Sequence, residues 1–366
     1  MAADLFDSLQ LRETELPNRL MVSPMCQYAV EDRDGVATEW HHVHLGSRAV
    51  GGAGVVMSEA TAVAPRGRIS PEDLGIWSDE HADALERTTE FIKSQGTVPA
   101  IQLAHAGRKA STSRPWEGTE PLQQEEGGWT AVGPSGNPWP YDEGEPPETE
   151  KLTYEGIRDI VDSFRAAAER ALAAGFEIAE VHGAHGYLLH EFLSPVTNDR
   201  EDEYGGSFEN RARLICEVTR AVRDVWPEEK PVFVRISGTD WQEEPSWTVK
   251  QSAQLADLLY EEGADLIDVS SGGISPGSWP DYVGPNYQLS LAEHVRENSD
   301  SDIAVGTVGG ITTGEQAQAI VRNDRADLAI VGRKFLHDPY FGLHAAEDLG
   351  EDERNEPPVQ YYRGFK

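Results

Sequence analysis

The chain has 366 residues, 39% of them hydrophobic, so it is long enough to bury a sizeable core. Asp and Glu number 64 against 31 Lys and Arg, which gives a formal net charge of −33 at pH 7. A surface this acidic repels nucleic-acid phosphates and anionic lipid headgroups, so we expect neither partner. The acidic residues are spread along the whole chain, and this pattern predicts a halophilic protein suited to a high-salt cytoplasm.

The two cysteines, Cys26 and Cys216, are too few for a disulfide scaffold or a structural zinc site. The segment Met1–Asp7 lacks the apolar run of a signal peptide, and no stretch approaches the length of a membrane span. We therefore expect a soluble, cytoplasmic protein.

Short apolar runs alternate along the chain with amphipathic helical patterns. Strands are predicted at Leu20–Ser23, Gly54–Ser58, Val98–Leu103, Glu177–Val181, Val232–Ile236, Leu266–Val269, Ile303–Gly306 and Leu328–Val331. Helical patterns follow at Trp40–Val50, Glu80–Ser94, Tyr154–Ala174, Phe208–Val225, Val249–Glu262, Leu289–Glu297, Glu315–Arg322 and Pro339–Asp348. Glycines at positions 175 and 263 are typical helix stop signals.

Eight successive β–α units predict an α/β fold, a (β/α)8 TIM barrel forming a single domain over residues 1–366. The alternative is an open doubly wound sheet. Its glycine fingerprint is missing after the first strand, where the sequence reads Ser23-Pro24-Met25-Cys26, and this favours the barrel.

Three segments lie outside the repeat. Residues 9–20 precede the first strand and are predicted to form a hairpin that plugs the barrel bottom. Residues 105–153 follow the third strand and are rich in Pro, Gly, Trp and acid, so we expect a capping insertion over the site. Residues 357–366 form an aromatic and basic C-terminal tail in an otherwise acidic chain.

Active sites of such barrels lie at the carboxyl ends of the strands. Nearly every predicted strand end in this chain carries a polar or glycine residue, which is typical of a ligand site. In strand order these are Cys26 and Tyr28; Ala60; Gln102, His105 and Lys109; His182, His185 and Tyr187; Arg235; Ser270, Ser271, Gly272 and Gly273; Gly309 and Gly310; Gly332 and Arg333.

The last two strand ends indicate a phosphate site. Gly309 and Gly310 follow the seventh strand and Gly332-Arg333 follows the eighth, where backbone amides, a helix N-terminus and a guanidinium can hold an anion. The alternative is that these glycines only form tight turns. The pattern predicts a phosphate-bearing ligand and leaves its chemistry open.

His182 and His185 bracket two small residues on a predicted loop, and three interpretations remain open. They could bind a metal, although no third ligand is evident; they could be buried structural residues; or they could donate N–H groups to one developing oxyanion, with Tyr187 as proton donor. Cys26 is either a small core residue or a reactive thiol. Three further histidines, His41, His42 and His44, lie in a helical pattern and are expected to pack or face solvent.

Five segments carry distinctive motifs: Ser23–Tyr28, Gln102–Lys109, His182–Pro195, Asn198-Asp199-Arg200 and Tyr204–Arg211. Together they resemble the old yellow enzyme family, and the resemblance covers essentially the whole chain. The cysteine in Ser-Pro-Met-Cys and the terminal Tyr-Tyr-Arg-Gly-Phe resemble the bacterial, thermostable-type subclass.

The resemblance implies an FMN-dependent ene-reductase that takes hydride from NADPH or NADH and reduces α,β-unsaturated carbonyl compounds. FMN would be lined by Ser23, Pro24, Met25, Cys26, Ala60 and Gln102, with Arg235 at its N1/O2 edge and Gly309, Gly332 and Arg333 at its phosphate. His182 and His185 would bind the substrate carbonyl, Tyr187 would protonate the α carbon, and Tyr28 would position the substrate. Lys109 matches a motif position near the site.

The tail resembles one that reaches a neighbouring subunit, which would make Arg363 a residue supplied in trans within a dimer or tetramer. A frayed terminus is the alternative.

Two alternative functions remain open for the whole chain. One is a non-flavin barrel enzyme with a phosphate-bearing ligand, such as an aldolase or epimerase. The other is a non-catalytic flavin-binding module.

Overall fold

The computed structural model describes residues 3–364. Two sequence predictions extend beyond that range. The absence of a signal peptide rests partly on Met1 and Ala2, and the aromatic tail includes Phe365; these residues lie outside the described ones.

Twelve strands and ten α-helices are formed within the described residues. The strands are β1 (Leu9–Leu11), β2 (Thr14–Leu16), β3 (Leu20–Val22), β4 (Val55–Ala62), β5 (Val98–Ala104), β6 (Ala131–Gly133), β7 (Thr149–Lys151), β8 (Ile178–Gly183), β9 (Val232–Ser237), β10 (Leu266–Ser270), β11 (Ala304–Val308) and β12 (Leu328–Val331). The helices are α1 (Glu39–Val50), α2 (Asp79–Ser94), α3 (Tyr154–Ala173), α4 (Leu188–Leu193), α5 (Phe208–Val225), α6 (Val249–Glu261), α7 (Leu289–Asn298), α8 (Gly314–Arg322), α9 (Arg333–His337) and α10 (Phe341–Leu349).

Eight parallel strands close into a barrel in the order β3-β4-β5-β8-β9-β10-β11-β12, with β12 pairing back to β3. The predicted (β/α)8 barrel is therefore confirmed. Four of its helices begin at a capping side chain: the hydroxyls of Thr153, Ser207, Thr248 and Thr313 accept backbone N–H groups of α3, α5, α6 and α8. The predicted stop glycines Gly175 and Gly263 adopt left-handed φ values of +88° and +91° just beyond α3 and α6.

The predicted hairpin is formed by the antiparallel strands β1 and β2. Leu11 and Leu16 on this hairpin are buried in one cluster with Met21, Val55 and Phe233 of the barrel strands. The other large clusters lie between the strands and the surrounding helices. The hairpin therefore fills the amino end of the barrel with apolar side chains and leaves the carboxyl end for a site.

The insertion at 105–153 has structure of its own: a parallel pair, β6 with β7, and several short 3-10 turns. Trp129 of the insertion packs in one cluster with Cys26, Tyr28 and Tyr187. The insertion thus covers the strand ends where the predicted site residues lie.

Three details differ from the sequence predictions. Ala60 lies inside β4, which continues past an irregularity between Met57 and Ala60, and not after the strand. His182 lies in β8, so only His185 and Tyr187 occupy the turn. Helices α4 and α9 were not predicted, because helices of six and five residues are too short to show a helical period.

No helix within residues 3–364 combines the length and apolar character needed to cross a bilayer.

Candidate active site at the carboxyl end of the barrel

A cavity of about 840 Å³ opens beside the carboxyl ends of β10, β11, β12 and β3. Seven residues singled out from the sequence line it: Met25, Arg235, Ser270, Gly309, Gly310, Gly332 and Arg333. Residues that the sequence analysis did not single out complete the wall, among them Val283, Gly284, Pro285, Tyr287, Gln288, Thr312 and Lys334. Most of these belong to the loop between β10 and α7, which has no periodic pattern that could have indicated them.

The cavity floor depends on glycine. Gly309 and Gly310 have φ values of +119° and +70°, and a Cβ at Gly309 would lie 2.7 Å from the Gln288 side-chain nitrogen. A Cβ at Gly310 would collide with the carbonyl oxygen of Gly284. The exposed Arg333 follows Gly332 at the rim. The strand ends of β11 and β12 therefore form an open, glycine-lined cradle with a cation beside it, as an anion site requires.

The strand register places the predicted site residues of the barrel strands in two rows. Ala60, Gln102 and Glu180 are register neighbours on β4, β5 and β8. In the second row, His182, Arg235 and Asp268 are neighbours on β8, β9 and β10.

Arg235 on β9 is a buried cation that lies between Asp268 on β10 and Ser23 directly after β3. Its Nε lies 3.2 Å from Asp268 Oδ2, and its Nη1 donates to the Ser23 hydroxyl at 3.3 Å. The contact with Asp268 is an ion pair without hydrogen-bond geometry, so Nε has no hydrogen-bond partner. The guanidinium also lines the cavity, so its positive charge lies beside any ligand bound there.

Glu180 and Asp268 are buried acids that the sequence analysis missed. The Gln102 amide donates to Glu180 Oε1 at 2.7 Å, while Glu180 Oε2 has no partner. Burial, reinforced by Asp268, raises the pKa of Glu180 to about 8. A charged residue in an otherwise apolar strand, as in Ile178–Val181 and Leu266–Val269, was the signal that could have identified both acids.

His182, His185 and Tyr187 meet at the end of β8. The ring centroid of His182 lies 5.3 Å from that of His185 and 5.2 Å from that of Tyr187. Burial, then the charge of Arg235, lowers the pKa of both histidines well below its ordinary value, so each ring is neutral and carries one N–H. His182 Nδ1 accepts the Ala184 N–H at 3.4 Å, which leaves the proton of His182 on Nε2.

Burial raises the pKa of the Tyr187 phenol well above its usual value, so Tyr187 holds its proton at neutral pH. Within residues 3–364 no three His, Cys, Asp or Glu side chains are grouped so that they could hold a metal ion. Of the three interpretations of the histidine pair, the geometry therefore favours two N–H donors beside a proton donor.

The backbone of the segment after β3 is bound by Glu59, a buried side chain of β4. The Gln27 N–H donates to Glu59 Oε2 at 2.8 Å, and Glu59 Oε1 lies 3.2 Å from Nε2 of the buried His41 on α1. Burial, then the charges of Asp73 and Glu59, raises the pKa of the Cys26 thiol well above its usual value, so Cys26 is a thiol and not a thiolate. Tyr28 adopts a left-handed φ of +51° and meets the ring of Trp116 from the cap.

The C-terminal tail lies at the opposite end of the barrel. The Asn355 amide donates to the carbonyl of Gly52, which precedes β4, and the Tyr361 hydroxyl lies 3.0 Å from that of Tyr340. Arg363 is exposed. Within its own chain, Arg363 is therefore not brought together with the other predicted site residues.

Known proteins of similar sequence match nearly the whole chain. The chain matches the NADH:flavin oxidoreductase / NADH oxidase family over residues 4–352. It is 46% identical over 363 residues to an NADPH dehydrogenase of Bacillus cytotoxicus, covering 99% of this chain and 97% of that protein. It is 44% identical over 362 residues to an NADPH dehydrogenase of Listeria monocytogenes, covering 99% of both chains.

Among solved structures, morphinone reductase superposes with a TM-score of 0.77 at 28% identity, covering 99% of this chain and 93% of that one. An old yellow enzyme homologue from Zymomonas mobilis superposes with a TM-score of 0.77 at 26% identity, covering 100% and 99%. The fold and the match define a flavin oxidoreductase that uses NADH or NADPH. The chain belongs to the NADH:flavin oxidoreductase / NADH oxidase family, of old yellow enzyme type.

Proposed function

We propose that this chain is an FMN-dependent ene-reductase acting on α,β-unsaturated carbonyl compounds, with NADPH or NADH as reductant. The observation that carries the proposal is the meeting of His182, His185 and Tyr187 next to the glycine-lined cavity, to which the His185–Ser270 contact of 2.7 Å connects them. FMN, when bound, supplies the group that accepts hydride from the nicotinamide and returns it to the β carbon of the alkene.

The described residues fit an FMN. Gly309, Gly332 and Arg333 would bind its phosphate in the cradle that a Cβ at Gly309 would obstruct. Arg235, which lines the cavity, would place its positive charge beside the N1/O2 edge of the ring and so stabilise the reduced, anionic form.

The remaining cofactor contacts come from two sides of the barrel. Ser23, Pro24, Met25 and Cys26 form one wall next to β12, whose last residue Val331 accepts the Ser23 N–H at 2.9 Å. Ala60 and Gln102, paired in register, contact the ring system from β4 and β5. The thiol of Cys26 is neutral, so it acts on the flavin by polarity and packing.

Substrate reduction uses three side chains. The neutral His182 and His185 donate N–H groups to the substrate carbonyl oxygen and stabilise the charge that develops there. Tyr187 gives its phenolic proton to the α carbon. Tyr28 packs near Tyr187 in the same cluster and positions the alkene.

Arg363 of the C-terminal tail contributes to the active site of a neighbouring subunit. Because Asn355 and Tyr361 are held at the amino end of the barrel, Arg363 reaches an active site only in another subunit, and we therefore propose a dimer or tetramer. The Tyr-Tyr-Arg-Gly run of the tail and Cys26 support membership of the thermostable-type subclass.

The net charge of −33 supports a halophilic, cytoplasmic protein whose fold depends on screening of its own carboxylates. We expect the unfolding temperature to fall as salt is removed. A protein that is equally stable in dilute buffer would contradict this part of the proposal.

The function is tested on protein purified in high salt. Heat denaturation should release FMN in about equimolar amount, and NADPH oxidation under anaerobic conditions should depend on added 2-cyclohexen-1-one. Folded protein that releases no flavin would overturn the proposal and favour the aldolase or epimerase alternative. Bound FMN without alkene-dependent turnover would favour the non-catalytic module.

A further inference from the structure

Lys109 lies in the 3-10 turn that opens the cap, and its ammonium group has an unusual set of neighbours. Its Nζ donates to the carbonyl oxygens of His185 at 2.9 Å and Gly273 at 3.2 Å. The same atom lies 4.9 Å from the ring centroid of Tyr187 and 4.6 Å from that of Trp139. Among the residues that the structure describes, Lys109 forms no ion pair with a carboxylate.

The charged groups around this ammonium do not neutralise it. Glu191 on α4 is buried, and burial raises its pKa to about 8, so it is largely protonated at neutral pH. Arg108 is a second cation, and its guanidinium is held by the Ile274 carbonyl at 2.8 Å and by the Trp139 ring. His182 and His185 are neutral. The positive charge of Lys109 is therefore directed at the faces of Tyr187 and Trp139.

We propose that Lys109 is a positioning residue for proton transfer, whose ammonium on the ring face of Tyr187 stabilises the phenolate that Tyr187 becomes. The inference rests on the proposed function, in which Tyr187 is the proton donor. As hydride reaches the β carbon, the O–H bond of Tyr187 breaks and a C–H bond forms at the α carbon. The phenolate then takes a proton from water, so the cycle balances.

A purely structural role for Lys109 makes different predictions. The carbonyl oxygens of His185 and Gly273 both face this ammonium, and His185 has a left-handed φ of +60°. A Cβ at Gly273 would lie 2.6 Å from the His185 oxygen, so the two backbones touch. Any pair of N–H donors could satisfy these carbonyls, whereas a cation on the ring face stabilises a phenolate more strongly than a neutral amide at the same place. The two roles are therefore separable by substitution.

The experiment compares Lys109→Gln, Lys109→Arg and Lys109→Met in the holoenzyme, with each half-reaction followed by stopped-flow. Lys109→Gln keeps N–H donors and Lys109→Arg keeps the charge. We expect Lys109→Gln and Lys109→Met to slow alkene reduction about tenfold or more, with a larger solvent deuterium isotope effect. Flavin reduction by NADPH should change less than twofold in both, and Lys109→Arg should retain most of the rate.

The effect must act through Tyr187. In a Tyr187→Phe background, Lys109→Met should therefore cause little further loss, so the two substitutions are not additive. Additive losses would overturn the proposal, and so would a Lys109→Gln variant that reduces the alkene at the wild-type rate. A wild-type protein that does not reduce the alkene would instead refute the proposed function, so the two failures are distinguishable.

A readout independent of turnover uses protein labelled with fluorotyrosine. Burial, opposed in part by Glu191, lowers the pKa of Lys109 to about 8. The fluorine resonance of Tyr187, assigned by its loss in Tyr187→Phe, should shift as the ammonium loses its proton near that pH. The shift should persist in Glu191→Gln and vanish in Lys109→Met. A shift that survives in Lys109→Met, or a Tyr187 resonance that never moves near that pH, would contradict the proposed contact.

Discussion

The Nε2 atom of His185 lies 2.7 Å from the hydroxyl oxygen of Ser270. Ser270 is the last residue of β10 and lines the cavity, whereas His185 lies in the turn after β8. This contact joins the histidine pair to the cavity in which we place FMN. The hydroxyl therefore holds the His185 ring in position beside the cavity.

Ser270→Ala should therefore weaken substrate binding. A single hydrogen bond contributes roughly 0.5–1.5 kcal/mol, so we expect the KM for 2-cyclohexen-1-one to rise about 2- to 12-fold. Ser275→Ala is the control, because Ser275 bonds to Ser278 and Gln242 and does not line the cavity. Steady-state kinetics at saturating NADPH measures the change. An unaltered KM in Ser270→Ala would show that His185 is positioned by other contacts.

Arg235→Met should lower both the stability of the protein and the midpoint potential of bound FMN. Removing the cation leaves Asp268 buried without its partner, and breaking a buried ion pair costs about 3–5 kcal/mol. The loss of positive charge should also lower the midpoint potential of bound FMN, because the anionic reduced form loses its stabilising charge. Denaturant unfolding and a dye-coupled redox titration measure the two effects. Arg235→Lys, which keeps a charge, should lie between wild type and Arg235→Met; an unchanged potential in Arg235→Met would contradict the assignment.

Glu180 should make stability depend on pH. Burial raises its pKa from 4.5 in the unfolded chain to about 8, so the folded state holds a proton that the unfolded state releases. Its stabilising contribution is full below about pH 4.5 and is lost as the pH rises to about 8, at up to about 1.4 kcal/mol per pH unit. Glu180→Gln keeps an oxygen to accept the Gln102 amide and cannot titrate. The free energy of unfolding of this variant should fall less than that of wild type over the same interval, and parallel curves would show that Glu180 does not titrate there.

Arg363→Ala should raise the KM for the alkene without changing flavin content. Coexpression with Tyr187→Phe provides the sharper test. In a mixed assembly, the site that contains Tyr187 belongs to the Arg363→Ala chain and receives Arg363 from the other chain. Activity above that of either variant alone is expected if Arg363 acts in trans. Mixed assemblies that gain no activity would mean that the tail does not reach a neighbouring site.

The barrel was predictable from the sequence because each β–α unit carries its own local signals. The predicted helices before Gly175 and Gly263 end within one residue of the observed ends of α3 and α6, and every predicted strand starts within one residue of an observed one. The cavity residues Gly309, Gly332 and Arg333 were also predictable, because the strand ends of a barrel meet at one edge.

Contacts between distant segments were not predictable. Glu180 and Gln102 are 78 positions apart, and only the register of β5 against β8 shows that their side chains pair. Lys109 meets Tyr187 only because the cap folds back over the turn after β8. The extension of β4 through Ala60 depends on an irregular pairing with β5 that has no local signal.

The most direct test of the account is one anaerobic titration of the purified protein, first with NADPH and then with 2-cyclohexen-1-one. We predict that the visible flavin band bleaches with about one equivalent of NADPH and returns on addition of the alkene, with cyclohexanone as product. A band that bleaches and does not return with this or any other activated alkene would contradict the ene-reductase assignment, although the protein would remain a flavin oxidoreductase.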